Sequence, residues 1–279
     1  MQFRTLETST IDILTETFNL AFADYEIPFH LTPEDLSQKF RTEDIDLSFS
    51  VGAFDGDKLV GFIFFGMDDD VQGVKTAWDG GTGVIPEHRG QKLTQRMFDF
   101  MLPVLKATGV KKILLEVLER NTGARGIYES LGFTVTRKLN AYKGIVQSAK
   151  TSPHKVALLQ NADYNFLLKL GNVQPAWQQM NKRVANPGND ILTYVVQIND
   201  VIAGYAHYNK NRHRLQQIAV APAHRRKGIG TALLQHIAAQ NPEALLVINI
   251  DDRSESINGF FPAIGMKWQL SQYEMELEL

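Results

Sequence analysis

The sequence predicts an α/β fold, a mixed sheet flanked by helices and built twice in tandem, and three observations predict it. Apolar runs with strand character alternate with runs of helical period along the chain. The order of these runs in the first half recurs in the second. The registers also agree: Val84-Ile85-Pro86 matches Val220-Ala221-Pro222 at an offset of about 136, and Leu131-Gly132 matches Ile264-Gly265 at about 133. One shortened loop absorbs the difference, so the chain reads as a duplication with one domain per copy.

In the first copy "LSFSVGAF" and "KLVGFIFFGM" form a hairpin over Leu47 to Met67 around a Gly-Asp turn, and "VKTAWDGGTGVIP" is a third strand. After Gly90, Leu93, Met97, Phe98, Met101 and Leu102 recur at helical spacing, and "KKILLEV" supplies a buried strand. A short helix, Asn121 to Leu131, is stopped by Gly132. The second copy repeats this order with "ILTYVVQIN", "VIAGYAHYN", "RLQQIAVAP", a helix from Arg226 to Gln240, "ALLVINI" and a helix near Ser254 to Ile264. The polar segment Gln147 to Lys155 has linker composition, which sets the expected domains at 1–150 and 151–279. The strand "KVALLQ" either closes the first sheet or opens the second domain; it is assigned to the second because "QFRTLE" opens the first.

At 279 residues, 44% hydrophobic and 22% charged, each copy is large enough for its own core. A formal net charge of -2 gives no global field favouring nucleic acid or an anionic membrane. The chain has no cysteine, which excludes disulfides, thiolate metal sites and a thioacyl-enzyme intermediate. No apolar run approaches the roughly 20 residues of a membrane span, and "MQFRTLETST" lacks the pattern of a secretion signal, so a cytoplasmic protein is expected. His88 and His224 have no second ligand at metal spacing, and no metal is expected.

The chemistry concentrates at two loops. In the second copy, Val220-Ala221-Pro222 ends a strand, and Arg225, Arg226, Lys227, Gly228, Ile229, Gly230 and Thr231 lead into a helix. Successive N–H groups and a helix N-terminus directed at one point suit a diphosphate cradle, with glycine keeping side chains out of it; by itself the loop reads equally as a tight turn with a solvated basic face. In the first copy the matching residues are Val84, Ile85, Arg89, Gly90, Gln91, Lys92, Leu93 and Thr94, with Lys92 and Thr94 at the glycine positions. A second motif, "NTGARGIYESLGF", carries Asn121, Ala124, Tyr128, Gly132 and Phe133; its counterpart has Ser254, Ile257, Phe261, Gly265 and Met266.

Together these motifs resemble the GCN5-related N-acetyltransferase superfamily, whose loop pattern is Gln/Arg-x-x-Gly-x-Gly/Ala. The resemblance covers nearly the whole chain as two tandem domains. It implies an acetyl-CoA co-substrate whose diphosphate rests on the loop, with Asn121 beside it, and direct acetyl transfer to a primary amine. The second copy keeps the loop but has Phe261 where the first has Tyr128. Two readings of that copy stay open: a module that binds acyl-CoA without catalysis, making the protein a sensor or pseudoenzyme, and a purely structural partner.

Such a transfer needs a neutral amine, a polarised carbonyl and a proton for the leaving thiolate. An amine with a pKa near 10.4 is neutral in only about one molecule in a thousand at pH 7, so a base or solvent chain is required. Glu116 stands twelve positions before Tyr128, the spacing of the ribosomal-protein alanine acetyltransferases, a resemblance that implies Glu116 as base and Tyr128 as acid. The alternatives are a strand glutamate paired with a cation and a core aromatic with an incidental hydroxyl. Asp79 is the reserve base. The N–H around Val84 polarises the thioester if the strand splays or bulges there, a distortion that Gly80, Gly81 and Gly83 permit. Lys92 either adds charge beside the phosphate or points to solvent. In the family the segment "FADYEIPFHLTPEDL" covers the acceptor side, so Asp24, Tyr25 and Glu26 are candidates to attract a small-molecule or peptide amine; the other reading is a charged surface loop. Thr32-Pro33-Glu34-Asp35 starts a new helix.

Overall fold

A computed structural model describes residues 1–25, 30–71, 73–147, 151–171 and 174–279. Along the chain run β1 (Gln2–Thr5), α1 (Ile11–Ala21), α2 (Pro33–Thr42), β2 (Val51–Asp55), β3 (Lys58–Val71), β4 (Val74–Val84), α3 (Leu93–Ala107), β5 (Lys112–Leu118), α4 (Thr122–Ser130) and β6 (Thr134–Gly144). They are followed by β7 (Val156–Leu158), α5 (Tyr164–Leu168), α6 (Asn181–Ala185), β8 (Ile191–Ile198), β9 (Val201–Asn209), β10 (Arg214–Val220), α7 (Ile229–Gln240), β11 (Leu245–Asp251), α8 (Glu255–Ala263) and β12 (Lys267–Glu278). Glu26 lies outside the described residues. No described helix is long and apolar enough to cross a membrane.

The chain forms two compact units, and both are discontinuous. The first comprises Met1–Val117, Asn121–Thr136 and Glu274–Leu279; the second comprises Leu118–Arg120 and Arg137–Tyr273. Continuous domains of 1–150 and 151–279 were the expectation. The difference lies in the last strand of each copy. In the first unit the sheet order is β1-β2-β3-β4-β5, then the end of β12, then the start of β6. In the second it is β7-β8-β9-β10-β11, then β6, then β12. Each fifth strand is therefore bordered by the other copy's final strand. β6 pairs antiparallel with β11 from Leu245↔Gly144 to Asp251↔Leu139. The tail of β12 is fastened to β5 by Leu279 N–H donating to Lys111 O (2.8 Å) and by Lys112 Nζ to Glu276 (3.0 Å). β7 pairs with β8, which places "KVALLQ" in the second unit.

Local chemistry accounts for the elements that frame the site. Thr32 and Asp35 form a reciprocal capping box with Pro33 in the first turn, so α2 starts where the sequence predicts. α3 buries Leu93, Met97, Phe98, Met101 and Leu105, the expected stripe except that Leu105 takes the place of the half-buried Leu102. The second unit closes its core on α7 through Ile229, Ala232, Leu233, Leu234 and Ile237.

A fragment of residues 1–150 lacks Glu274–Leu279 and leaves β5 as an unpaired edge. It is expected to aggregate or melt without cooperativity, and co-expression with 151–279 to restore a soluble complex with a cooperative melt. A monomeric fragment with a sharp thermal transition would contradict the strand exchange.

Candidate active site

In the first unit β3 and β4 pair antiparallel, with Phe64 opposite Gly81 and Phe65 opposite Asp79, so Gly80 is an extra residue. Such a bulge bends its strand and raises the local twist. The distortion expected around Val84 begins here, four residues earlier. On its other side β4 pairs parallel with β5 only at Thr76↔Lys112, Ala77↔Ile113 and Trp78↔Leu114. Among the described residues, no ladder pair joins the two facing edges from Asp79 to Val84 or from Leu115 onward. Ile85 N–H donates to Val60 O (3.0 Å) on β3, and strand alternation turns the Val84 N–H toward the open edge. Glycine is needed in this strand: a Cβ at Gly83 would fall 2.7 Å from the Phe62 ring, and one at Gly80 2.5 Å from Ile45.

Asp79, Thr82 and Tyr128 meet at this splay. Asp79 is only 7% exposed; its Oδ1 accepts from Gly81 N–H (2.8 Å) and its Oδ2 from Thr82 Oγ1 (2.5 Å). Burial raises its pKa to about 6, against the lowering effects of those bonds, the Lys39 charge and the Tyr128 phenol. Lys39, on α2, is itself paired with Glu43 at the C-terminal cap of that helix. Tyr128, on α4 and 8% exposed, packs edge-on against Phe98 and Phe133. Its pKa is raised well above the ordinary tyrosine value, first by burial and then by the Asp79 charge, while Thr82 acts in the opposite direction. Tyr25 also lies within electrostatic reach of this hydroxyl and stacks edge-on against Phe22 at 5.1 Å. Glu116 is half-buried on β5, two residues beyond the last paired position, Leu114. Sequence reasoning missed Thr82, although its place three residues after Asp79 in "DGGT" carried the signal.

Other expected residues are otherwise engaged. Arg89 was expected at the coenzyme and Asp24 at the acceptor, but they bind each other: Nη1 to Oδ2 at 2.6 Å and Nη2 to Oδ1 at 2.8 Å. Arg89 also donates to Val84 O (3.1 Å) and Ala21 O (3.0 Å), tying the end of α1 to the end of β4. The guanidinium beside Asp24 holds that carboxyl below its ordinary range. Asn121 caps α4, its Oδ1 accepting from Ala124 N–H (3.1 Å).

The loop itself keeps the cradle shape in both copies. Gly90 (φ 77°) and Lys92 (φ 55°) are left-handed in the first, and Arg226 (φ 61°) and Gly228 (φ 86°) at the aligned positions of the second. Each loop thus has one glycine and one basic residue in the two left-handed sites, in exchanged order. Neither helix that follows has a side-chain cap at its start, so first-turn N–H groups of α3 and α7 remain for another acceptor. In the first loop Gln91 and Lys92 are exposed, Leu93 is buried and Thr94 is half-buried. In the second, Arg225 Nε donates to Val220 O (3.0 Å), repeating the role of Arg89, and Phe261 is fully buried against Tyr142.

The sequence profile of the acetyltransferase (GNAT) family matches residues 14–133 and 159–249, more than half of the chain. The chain belongs to that family. As a GNAT protein it consists of two GNAT-like domains in tandem. Its fold is similar to that of a tandem GNAT protein from the clavulanic acid biosynthesis pathway, with a TM-score of 0.73 and 13% identity over 99% of this chain and 98% of that one. A GCN5-related N-acetyltransferase from Sphaerobacter thermophilus gives a TM-score of 0.74 at 13% identity, covering 99% and 95%. At these identities the likeness is one of fold. N-alpha-acetyltransferase 30 of Schizosaccharomyces pombe is 29% identical over 94 residues, which spans 34% of this GNAT chain and 63% of that relative's length.

The raised pKa of Asp79 has a stability consequence. Its ordinary value is 3.8 and its folded value about 6, so the folded protein keeps the proton longer; the associated stability is fully present below 3.8 and lost as pH rises through 6. Above that point the ionised group costs on the order of 3 kcal/mol. Asp79→Asn is therefore expected to melt higher than the parent at pH 7, with the gap narrowing as pH falls to 4; a gap independent of pH would contradict this environment.

Proposed function

We propose that the protein is an acetyl-CoA-dependent N-acetyltransferase that moves the acetyl group directly to a primary amine, at the first unit. The observation that carries this reading is the parted β4 and β5 edges with the Tyr128 hydroxyl against Asp79 and Thr82 of β4. The amide-bearing pantetheine arm of acetyl-CoA has the hydrogen-bonding chemistry to join such an edge, and the loop from Gly90 to Thr94 presents N–H groups for its diphosphate. The Val84 N–H polarises the thioester carbonyl.

The amine nitrogen adds to the carbonyl carbon and gives its proton to Glu116 or to water that Glu116 orders, which passes it to solvent. The C–S bond then breaks with the electron pair on sulfur, and Tyr128 supplies the proton, recovering one from solvent. The products are an amide and free coenzyme A thiol. Asp79 serves here as a positioning residue: with Gly81 and Thr82 already donating to it, the carboxylate orients the phenol, and its charge keeps Tyr128 protonated until sulfur leaves. Tyr25 borders the acceptor side. A peptide N-terminus belongs among the acceptors to test, in line with the name of the Schizosaccharomyces pombe relative.

The test is thiol release from acetyl-CoA with a panel of small amines and short peptides. Tyr128→Phe is expected to lower kcat by about 100-fold with coenzyme Kd nearly unchanged. Equal kcat in the variant and the parent would remove Tyr128 as the acid.

A further inference from the structure

The second unit repeats the splay and then fills it. Gln216 is the extra residue in β10, aligned with Gly80, since Leu215 faces Tyr208 and Gln217 faces His207. The parallel ladder between β10 and β11 stops at Leu215↔Val247. Beyond it lies Gln179, only 2% exposed. Its Nε2 donates to Ile248 O on β11 at 2.8 Å, and its own carbonyl accepts from Gln217 Nε2 on β10 at 2.5 Å. Gln217 Oε1 in turn accepts from Tyr205 OH at 2.9 Å. The neighbouring Gln178 Oε1 accepts from Asn249 Nδ2 (3.3 Å), the residue aligned with Glu116, and Trp177 is buried alongside.

A second closure lies at the loop. A Cβ placed on Gly230 would fall 3.2 Å from the Phe260 ring, so the first turn of α7 abuts α8. Gly230 therefore has a packing reason that needs no ligand; the aligned pair in the first copy is Thr94 and Ile127. Ser152 Oγ donates to Gly228 O (3.0 Å), and His154 Nε2 contacts Lys227 O (2.7 Å), so the preceding segment is fastened to the loop.

We propose that residues 176–180 are an internal ligand of the second unit, the Gln179 amide standing between its parted strands where a coenzyme arm would lie, so that the chain takes up acyl-CoA at the first unit alone. A glutamine side chain offers the same amide donor chemistry to a strand carbonyl as a pantetheine amide, and it is covalently present at all times. The Ile248 carbonyl on the open edge of β11 and the Gln217 side chain on β10 are thereby satisfied without any cofactor. The coenzyme arm of the test rests on the function proposed above; the internal ligand does not.

Two measurements on the full chain test this. Calorimetric titration with acetyl-CoA should give one site per chain, with Kd within about threefold of the parent in R226E/K227E and weakened more than tenfold in Q91E/K92E. Two sites, or the opposite pattern in the two variants, would overturn the proposal. Hydrogen exchange of the coenzyme-free chain should place the Gln179 N–H, which donates to Ala176 O at 2.8 Å, among slowly exchanging core amides, unchanged on adding acetyl-CoA. Exchange at the rate of an open loop, or loss of protection when coenzyme is added, would overturn it. Absence of any binding together with a protected Gln179 would support the internal ligand while defeating the coenzyme reading of the first unit.

Discussion

The arrangement depends on the point where β4 and β5 stop pairing. Two parallel strands joined at Trp78↔Leu114 separate beyond it because Gly80 adds a residue to β4 and bends it away. Backbone N–H and C=O groups left without partners inside a protein are costly, so a parted ladder persists only if something else satisfies them. On the function proposed above, that requirement turns a strand irregularity into a binding site. It also fixes where the reacting carbonyl would sit, since Val84, Asp79 and Thr82 all belong to the same bent strand, and Tyr128 comes to them from α4.

Both copies inherited this constraint and meet it differently. The first leaves its edges open and brings a phenol and a buried carboxylate to them. The second sets Gln179 between its strands, bonded to the Ile248 carbonyl and the Gln217 side chain, places Phe261 where the phenol would be, and seats Phe260 against Gly230. The copy with the fuller glycine motif is thus the one whose cleft is filled. A glycine pair reports that the backbone needs left-handed φ or close approach, and packing against Phe260 meets that need as well as a phosphate does. The first loop shows the converse, with Lys92 at φ 55° in a position where glycine is the easier choice.

Much of the fold was legible because it follows from local chemistry. The capping box at Thr32 and Asp35, the stripe on α3 and the repeat of strands and helices all depend on residues close in sequence. The exchange of β6 and β12 was not legible, since alternation marks a segment as a strand without naming its neighbour. At the site, Tyr128 and Asp79 were legible as chemical types in a motif. The pairing of Arg89 with Asp24 was hidden by their separation in the chain, and the sequence reading had given each a ligand of its own. Gln179 was hidden for a different reason: in a polar stretch with no period, nothing distinguishes a glutamine that enters a cleft from one that faces water.

The most direct test of the central claim is the behaviour of the main-chain amides along β4 when coenzyme A is added, followed residue by residue by NMR. The account predicts that the Val84 N–H, turned to the open edge, shows the largest change in shift and exchange, with the first turn of α3 following it. Changes confined to residues 225–231, or a Val84 amide that does not respond to bound coenzyme, would contradict it.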